Sequence, residues 1–161
     1  MPEIIFIAAV ADNNVIGKDD DIPWRISEDF QHFKALTMGH PCIMGDKTYE
    51  SLPVKPLPGR ENIILTFDRN YHPEGAVIMY SFEEALHYLN DREKVFICGG
   101  ASVYKIGLEV ADRLELTRVH QRPEGDTFFP EVNFKEWKLV KEEKHRGFTF
   151  QSYIRKLNKQ D

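Results

Sequence analysis

Cysteine is scarce in this chain. Cys42 and Cys98 are its two cysteines, each inside an apolar run, Pro41-Cys42-Ile43-Met44 and Val95-Phe96-Ile97-Cys98. Neither belongs to a CxxC pair or a Cys/His cluster, so no metal is expected and both read as buried, reduced thiols. Long apolar runs are missing as well. No stretch approaches the ~20 residues of a membrane helix, and Met1-Pro2-Glu3 opens without the basic segment or cleavage pattern of a secretion signal. Lys and Arg form no cluster, and the net charge of −5 argues against a nucleic-acid partner. There is no linker, low-complexity stretch or internal repeat. What remains reads as a cytoplasmic chain of 161 residues, 42% hydrophobic and 29% charged, expected to form one domain over residues 1–161 and to be a monomer.

Strand and helix patterns alternate along it. Residues 3–10 are nearly all apolar, as in a central strand buried on both faces, and Asp12-Asn13-Asn14 then supplies turn chemistry. A helix is expected over 27–38, with Ser27 as N-cap and Gly39 ending it. Strands are expected at 41–45, 62–66, 76–80, 94–98 and 113–120, and a short helix at 47–52. Ser81-Phe82-Glu83-Glu84 has the capping-box pattern, opening a helix of about nine residues. Another short helix follows Gly99-Gly100 and ends near Leu108. Residues 137–144 and 148–157, parted by a turn ending at Gly147, read as a hairpin. This order implies an α/β fold: a mixed, mostly parallel central sheet of about eight strands, an antiparallel C-terminal edge hairpin, and about four helices on both faces. Ligands of such sheets bind beyond the strand carboxyl ends. Residues 9–17, 45–48, 66–69 and 99–104 all fall there.

Some of these residues carry chemistry. Asp29 lies one turn into the first helix, on the face of Phe33 and beside Phe30, where a carboxyl is costly without a task or a partner. The plain alternative is an acid complementing the helix dipole, a role Glu28 also fills. Gly99-Gly100-Ala101-Ser102-Val103-Tyr104 joins a strand to a helix, so its backbone can approach an anion or simply make a tight turn. Gly45-Asp46-Lys47-Thr48 is a second such junction, suited to phosphate or to simple capping by Asp46. Arg60 can clamp a carboxylate or lie free on the surface. Thr117 is ordinary in a strand. Lys18-Asp19-Asp20-Asp21 lacks the alternation of a calcium loop and reads as a solvated mobile loop.

Several segments recur together in one order: Ile7-Ala8-Ala9-Val10-Ala11 with Val15-Ile16-Gly17; Ile22-Pro23-Trp24; Asp29 with Phe33-Lys34; Ile43-Met44-Gly45 with Thr48-Tyr49-Glu50-Ser51; Leu57-Pro58-Gly59-Arg60-Glu61-Asn62; and Gly99-Gly100 with Tyr104, then Glu124-Gly125-Asp126-Thr127. From residue 4 to about 157 the chain resembles dihydrofolate reductase. The resemblance implies hydride transfer from NADPH to C6 of 7,8-dihydrofolate, with NADH a weaker alternative, in the service of one-carbon metabolism. Asp29, Trp24 and Thr117 become the catalytic set. Asp29 fixes the pterin and promotes protonation of N5, Trp24 holds water and loop, and Thr117 bonds the carboxylate and the pterin amino group. The substrate pocket takes Ile7, Ala9, Phe30, Phe33, Lys34, Leu52 and Leu57, with Arg60 on the glutamate carboxylate. The cofactor takes Ala9, Ile16, Gly17, Ile22, Gly45, Lys47, Thr48, Leu65, Thr66, Phe67, Arg69, Cys98, Gly99, Gly100, Ala101, Ser102, Val103, Tyr104 and Thr127.

Three positions depart from the family pattern. Asp46 stands where most relatives carry arginine, Phe67 replaces a small or basic residue, and Ser102 stands where some relatives place arginine. Two rival functions remain at this stage. One is a related reductase of a ribosylated pyrimidine in riboflavin synthesis, which needs neither Asp29 against Phe33 nor the Trp24 motif. The other is a non-catalytic pterin- or nucleotide-binding protein, which has no use for Asp29, Trp24, Arg60 and Thr117 together.

Overall fold

The computed structural model of the protein describes residues 1–157, so the last four residues of the expected 1–161 domain lie outside the described residues. Its elements run β1 (Glu3–Ala11), β2 (Val15–Gly17), α1 (Ser27–Thr37), β3 (Cys42–Gly45), α2 (Asp46–Ser51), β4 (Asn62–Leu65), β5 (Val77–Met79), α3 (Phe82–Tyr88), β6 (Lys94–Ile97), α4 (Ala101–Gly107), β7 (Arg113–Val119), β8 (Thr127–Phe128), β9 (Trp137–His145) and β10 (Phe148–Arg155). A short 3-10 turn, Phe134–Glu136, precedes β9.

Eight strands form one sheet in the order β5-β4-β3-β6-β1-β7-β10-β9. The first six are mutually parallel, and β10 and β9 pair antiparallel beyond β7. β1 therefore sits in the interior, and its alternation feeds two cores. Ile4, Phe6 and Val10 pack with Tyr104, Leu114 and Leu116 on the face that carries α3 and α4. Ile5 and Ile7 pack with Met44, Tyr49 and Phe96 on the other face, against Phe33 and Leu36 of α1. Burying each such side chain stabilises the fold by about 1.5–3 kcal/mol, and both faces must be covered for so apolar a strand to persist.

Some local details differ from the sequence-based expectation. Ile26, not Ser27, is the N-cap of α1, without a side-chain bond. Ser27 is already helical, and its hydroxyl donates to Glu28 Oε1 at 2.8 Å instead of accepting from the helix backbone. The helix stops at Thr37, one residue before the expected Met38, with Gly39 at φ +82°. α3 has seven residues, shorter than the expected nine, but Ser81 does cap it, accepting from Glu84 N at 3.0 Å. β2 and β8 were unforeseen. They form a separate two-stranded antiparallel sheet, too short to show periodicity. Lys18-Asp19-Asp20-Asp21 folds as a tight exposed turn closed by backbone bonds between Lys18 and Asp21 at 2.8 and 3.0 Å.

Candidate active site

The parallel strands all end on one side, and there a cleft of about 1840 Å³ opens. Its two halves are built differently. On one side, α1 turns Asp29, Phe30, Phe33 and Lys34 toward it, β1 contributes Ile7 and Ala9, and the segment after α2 adds Leu52, Leu57 and Arg60. On the other side lie the strand-to-helix junctions: Gly45, Lys47 and Thr48; Leu65, Thr66 and Phe67; and Cys98 through Tyr104. Ile16, Gly17, Ile22 and Thr127 close the middle.

Asp29 is half-buried, and its Oδ1 accepts from the Thr117 hydroxyl at 2.5 Å. Thr117 is buried on the face of β7 that meets Asp29, while Leu114 and Leu116 point into the opposite core. Burial raises the Asp29 carboxyl above the ordinary 3.8. The Thr117 bond and the nearby His32 pull in the other direction but do not outweigh it. His32, stacked on Phe150 at 3.9 Å between ring centroids, is itself shifted down by burial. A carboxyl so placed keeps a proton more readily than one in water.

Arg60 is fixed before any ligand arrives. Its Nε donates to Pro58 O at 2.8 Å and its Nη1 to Thr37 Oγ1 at 3.1 Å, and its guanidinium lies 5.9 Å from the Phe33 ring centre. The remaining guanidinium N–H groups are left for an anion at the end of an apolar slot.

The glycines explain the opposite half. Gly45 N donates to Gly99 O at 2.9 Å, so the ends of β3 and β6 meet through bare backbone. The Gly99–Gly100 peptide is cis, and Gly99 has φ +118°, a conformation L side chains rarely adopt. A Cβ on Gly100 would lie 3.2 Å from Thr48 Oγ1. This leaves a shallow cradle of backbone, hydroxyls and Lys47, chemistry that suits a diphosphate. Tyr104 anchors it from below, its buried phenol donating to Ile7 O at 2.6 Å.

Three expected residues do not line the cleft. Thr117 meets Asp29 through its hydroxyl. Trp24 is buried with Ala11, Val15 and Val119 behind the loop. Arg69 is exposed and stacks its guanidinium 3.7 Å from the Tyr80 ring centre. Conversely, Met38, Met44, Pro53 and Val54 line the cleft with the α1 residues, and Tyr80, Ser81, Phe82, Glu83 and Leu86 line its far rim, all unassigned by sequence. The strand-end rule applied to β5 would have found the Tyr80–Glu83 group.

A family model described as dihydrofolate reductase matches residues 3–157. The chain belongs to the dihydrofolate reductase family. The dihydrofolate reductase of Staphylococcus haemolyticus is 44% identical over 142 residues, spanning 88% of this chain and 85% of that protein. That of Neisseria gonorrhoeae is 42% identical over 162 residues, spanning 97% of this chain and all of that protein. Among solved structures, the dihydrofolate reductase from Enterococcus faecalis complexed with NADP(H) and RAB-propyl aligns with a TM-score of 0.86 at 33% identity, covering 94% of this chain and 95% of that one. The mixed sheet with its antiparallel edge is thus the dihydrofolate reductase fold.

Proposed function

We propose that this cleft reduces 7,8-dihydrofolate to 5,6,7,8-tetrahydrofolate with NADPH, Asp29 promoting protonation of N5. The observation that carries the reading is the Asp29–Thr117 pair, 2.5 Å apart, on the apolar wall made by α1 and β1. When bound, NADPH supplies the hydride that C6 accepts. The C6–N5 double bond accepts hydride poorly until N5 carries a proton, and the side chains serve that need. Asp29 pairs with the pterin amino group and N3, fixing the ring, and assists proton delivery to N5 through water. Its proton affinity, raised by burial, suits a group that helps to pass a proton. Thr117 sets the carboxylate orientation. Phe30, Phe33, Leu52 and Leu57 hold the aminobenzoyl group, and Arg60 pairs with the α-carboxylate of the glutamate tail. Trp24 packs behind the loop that carries Ile16, Gly17 and Ile22 and so keeps that wall in place against water. The glycine cradle with Thr48 and Lys47 holds the cofactor diphosphate.

The protein acts on small molecules as a monomer in the cytoplasm. The net charge of −5 supports the absence of a nucleic-acid partner, and among the described residues no helix is long and apolar enough to cross a membrane.

The test is a steady-state assay of reduced-nicotinamide absorbance. Oxidation that depends on added dihydrofolate is expected. Oxidation with a ribosylated aminopyrimidine but not with dihydrofolate, or none with either, would overturn the reading.

A further inference from the structure

The far rim of the cleft holds a carboxylate where a phosphorylated cofactor needs cations. β3 and β4 are adjacent and in register, Gly45 opposite Leu65, so the residues that follow them, Asp46 and Thr66, meet across the sheet end. Thr66 Oγ1 donates to Asp46 Oδ2 at 2.8 Å, and Lys47 N donates to Asp46 Oδ1 at 2.7 Å. The half-buried carboxylate is therefore held at the cleft surface by both of its oxygens. Thr66 is fully committed too. Its single proton goes to Asp46, while its oxygen accepts from Asp68 N at 3.1 Å. It has nothing to donate to an incoming phosphate. Around the pair, Phe67 is 94% exposed and uncharged, the Arg69 guanidinium is stacked on the rim residue Tyr80 and not paired with Asp46, and Glu83 adds a second acid on the same rim. Among the described residues, Lys47 is the cation that lines this end.

Resting on the functional reading above, a dinucleotide whose diphosphate lies on the Gly99–Gly100 cradle would leave its adenosine half to the part of the same cleft that Asp46, Thr66 and Phe67 line. Each oxygen of Asp46 has accepted one bond and keeps a second lone pair, the chemistry that accepts a ribose hydroxyl. The same charge repels a dianion. We propose that the Asp46–Thr66 pair is a specificity determinant that weakens recognition of the 2′-phosphate and accepts the 2′-hydroxyl of NADH, so that NADPH is favoured only narrowly.

Calorimetric titration of NADPH, NADP⁺, NADH and NAD⁺ tests this apart from turnover. Asp46→Asn preserves the size of the side chain and can keep both hydrogen bonds by reversing the Thr66 bond, which frees the Thr66 proton. It should tighten the 2′-phosphorylated pair about five- to tenfold, the scale of one screened charge contact, and leave the other pair unchanged or weaker. The gain should shrink as salt is added. Asp46→Ser, which lacks the charge and the Asp46–Thr66 geometry, should give a gain of the same sign. Glu83→Gln, as a control for the general field, should give a smaller gain. Unchanged NADPH affinity in both Asp46 variants overturns the proposal, as does an equal gain in Glu83→Gln. Failure of all four nucleotides to bind the unmodified protein would instead overturn the functional reading.

Discussion

Asp29 combines two costs that sequence and structure expose separately. Its place beside Phe33 is visible from helical spacing, but its bond to Thr117 spans 88 positions, so the residues alone do not suggest it; the family resemblance implies it and the fold shows it. Asp29→Asn should fold, keep an acceptor for Thr117, and lose roughly 10²–10⁴-fold in turnover at neutral pH, the usual worth of a positioned proton-transfer group. The deficit should narrow as pH falls, because solvent then supplies the proton. A pH profile of kcat for the variant that matches the unmodified enzyme at pH 7 and above would exclude the role. Arg60 makes a different claim. Removing it as Arg60→Ala deletes a charge-assisted bond worth about 1.5–3 kcal/mol, so the KM for dihydrofolate should rise roughly 10- to 100-fold. A pterin without the glutamate tail should show no such change, and equal sensitivity of both substrates would mean that Arg60 binds something else. Arg69 marks the limit of residue-level reading. Its charge and position at a strand end suggest the cofactor, but only the fold shows that its guanidinium is stacked on Tyr80, a residue of the cleft rim.

At the scale of elements, long periodic segments were legible and short ones were not. β1 and β7 followed from their patterns because both are buried along most of their length, α1 from its helical spacing, and the hairpin from its turn at Gly147, since β9 is exposed beyond Trp137. β2 and β8 have three and two residues, and their pairing depends on contacts between segments more than 100 positions apart. That small sheet shapes the cleft wall. Gly125 packs there so closely that an added Cβ would lie 2.3 Å from Val15 Cγ1 and 2.9 Å from Gly17 O. Val15 is 1% exposed and has no room to retreat, so β2 itself must move, and with it Ile16 and Gly17. Gly125→Ala should therefore fold yet lower kcat by up to roughly 10²-fold, the cost of about 1 Å of misplacement. Circular dichroism would check the fold and single-turnover kinetics the chemical step. Val15→Ala in the same chain should restore much of the loss. No recovery would place the defect outside this contact.

For the whole molecule, the architecture was readable because strand-helix alternation and right-handed crossovers leave few arrangements, though not the order that puts β1 between β6 and β7. That order places Asp29 over the interior strands, and the fold bears the cost of a carboxylate there. The sign follows from the raised affinity for protons. The folded state holds the Asp29 proton to higher pH than the unfolded chain does, so between the ordinary value near 3.8 and the raised one the folded state binds more protons. Stability contributed by this group is then fully present below the unfolded value and is lost as pH rises through the folded one. The unmodified protein loses it as pH rises through the raised value, whereas Asp29→Asn never titrates. In the absence of ligands the variant should be more stable than the unmodified protein at pH 7. Each 1 kcal/mol so relieved raises Tm by about 2–4 °C in a domain of this size. Melts followed from pH 7 downward should show the two curves converging as the pH approaches the ordinary aspartate range. If Asp29→Asn melts lower at pH 7, or keeps its advantage unchanged in acid, ionisation of Asp29 is not what strains the fold, and the carboxylate is held by compensating contacts stronger than its loss of hydration.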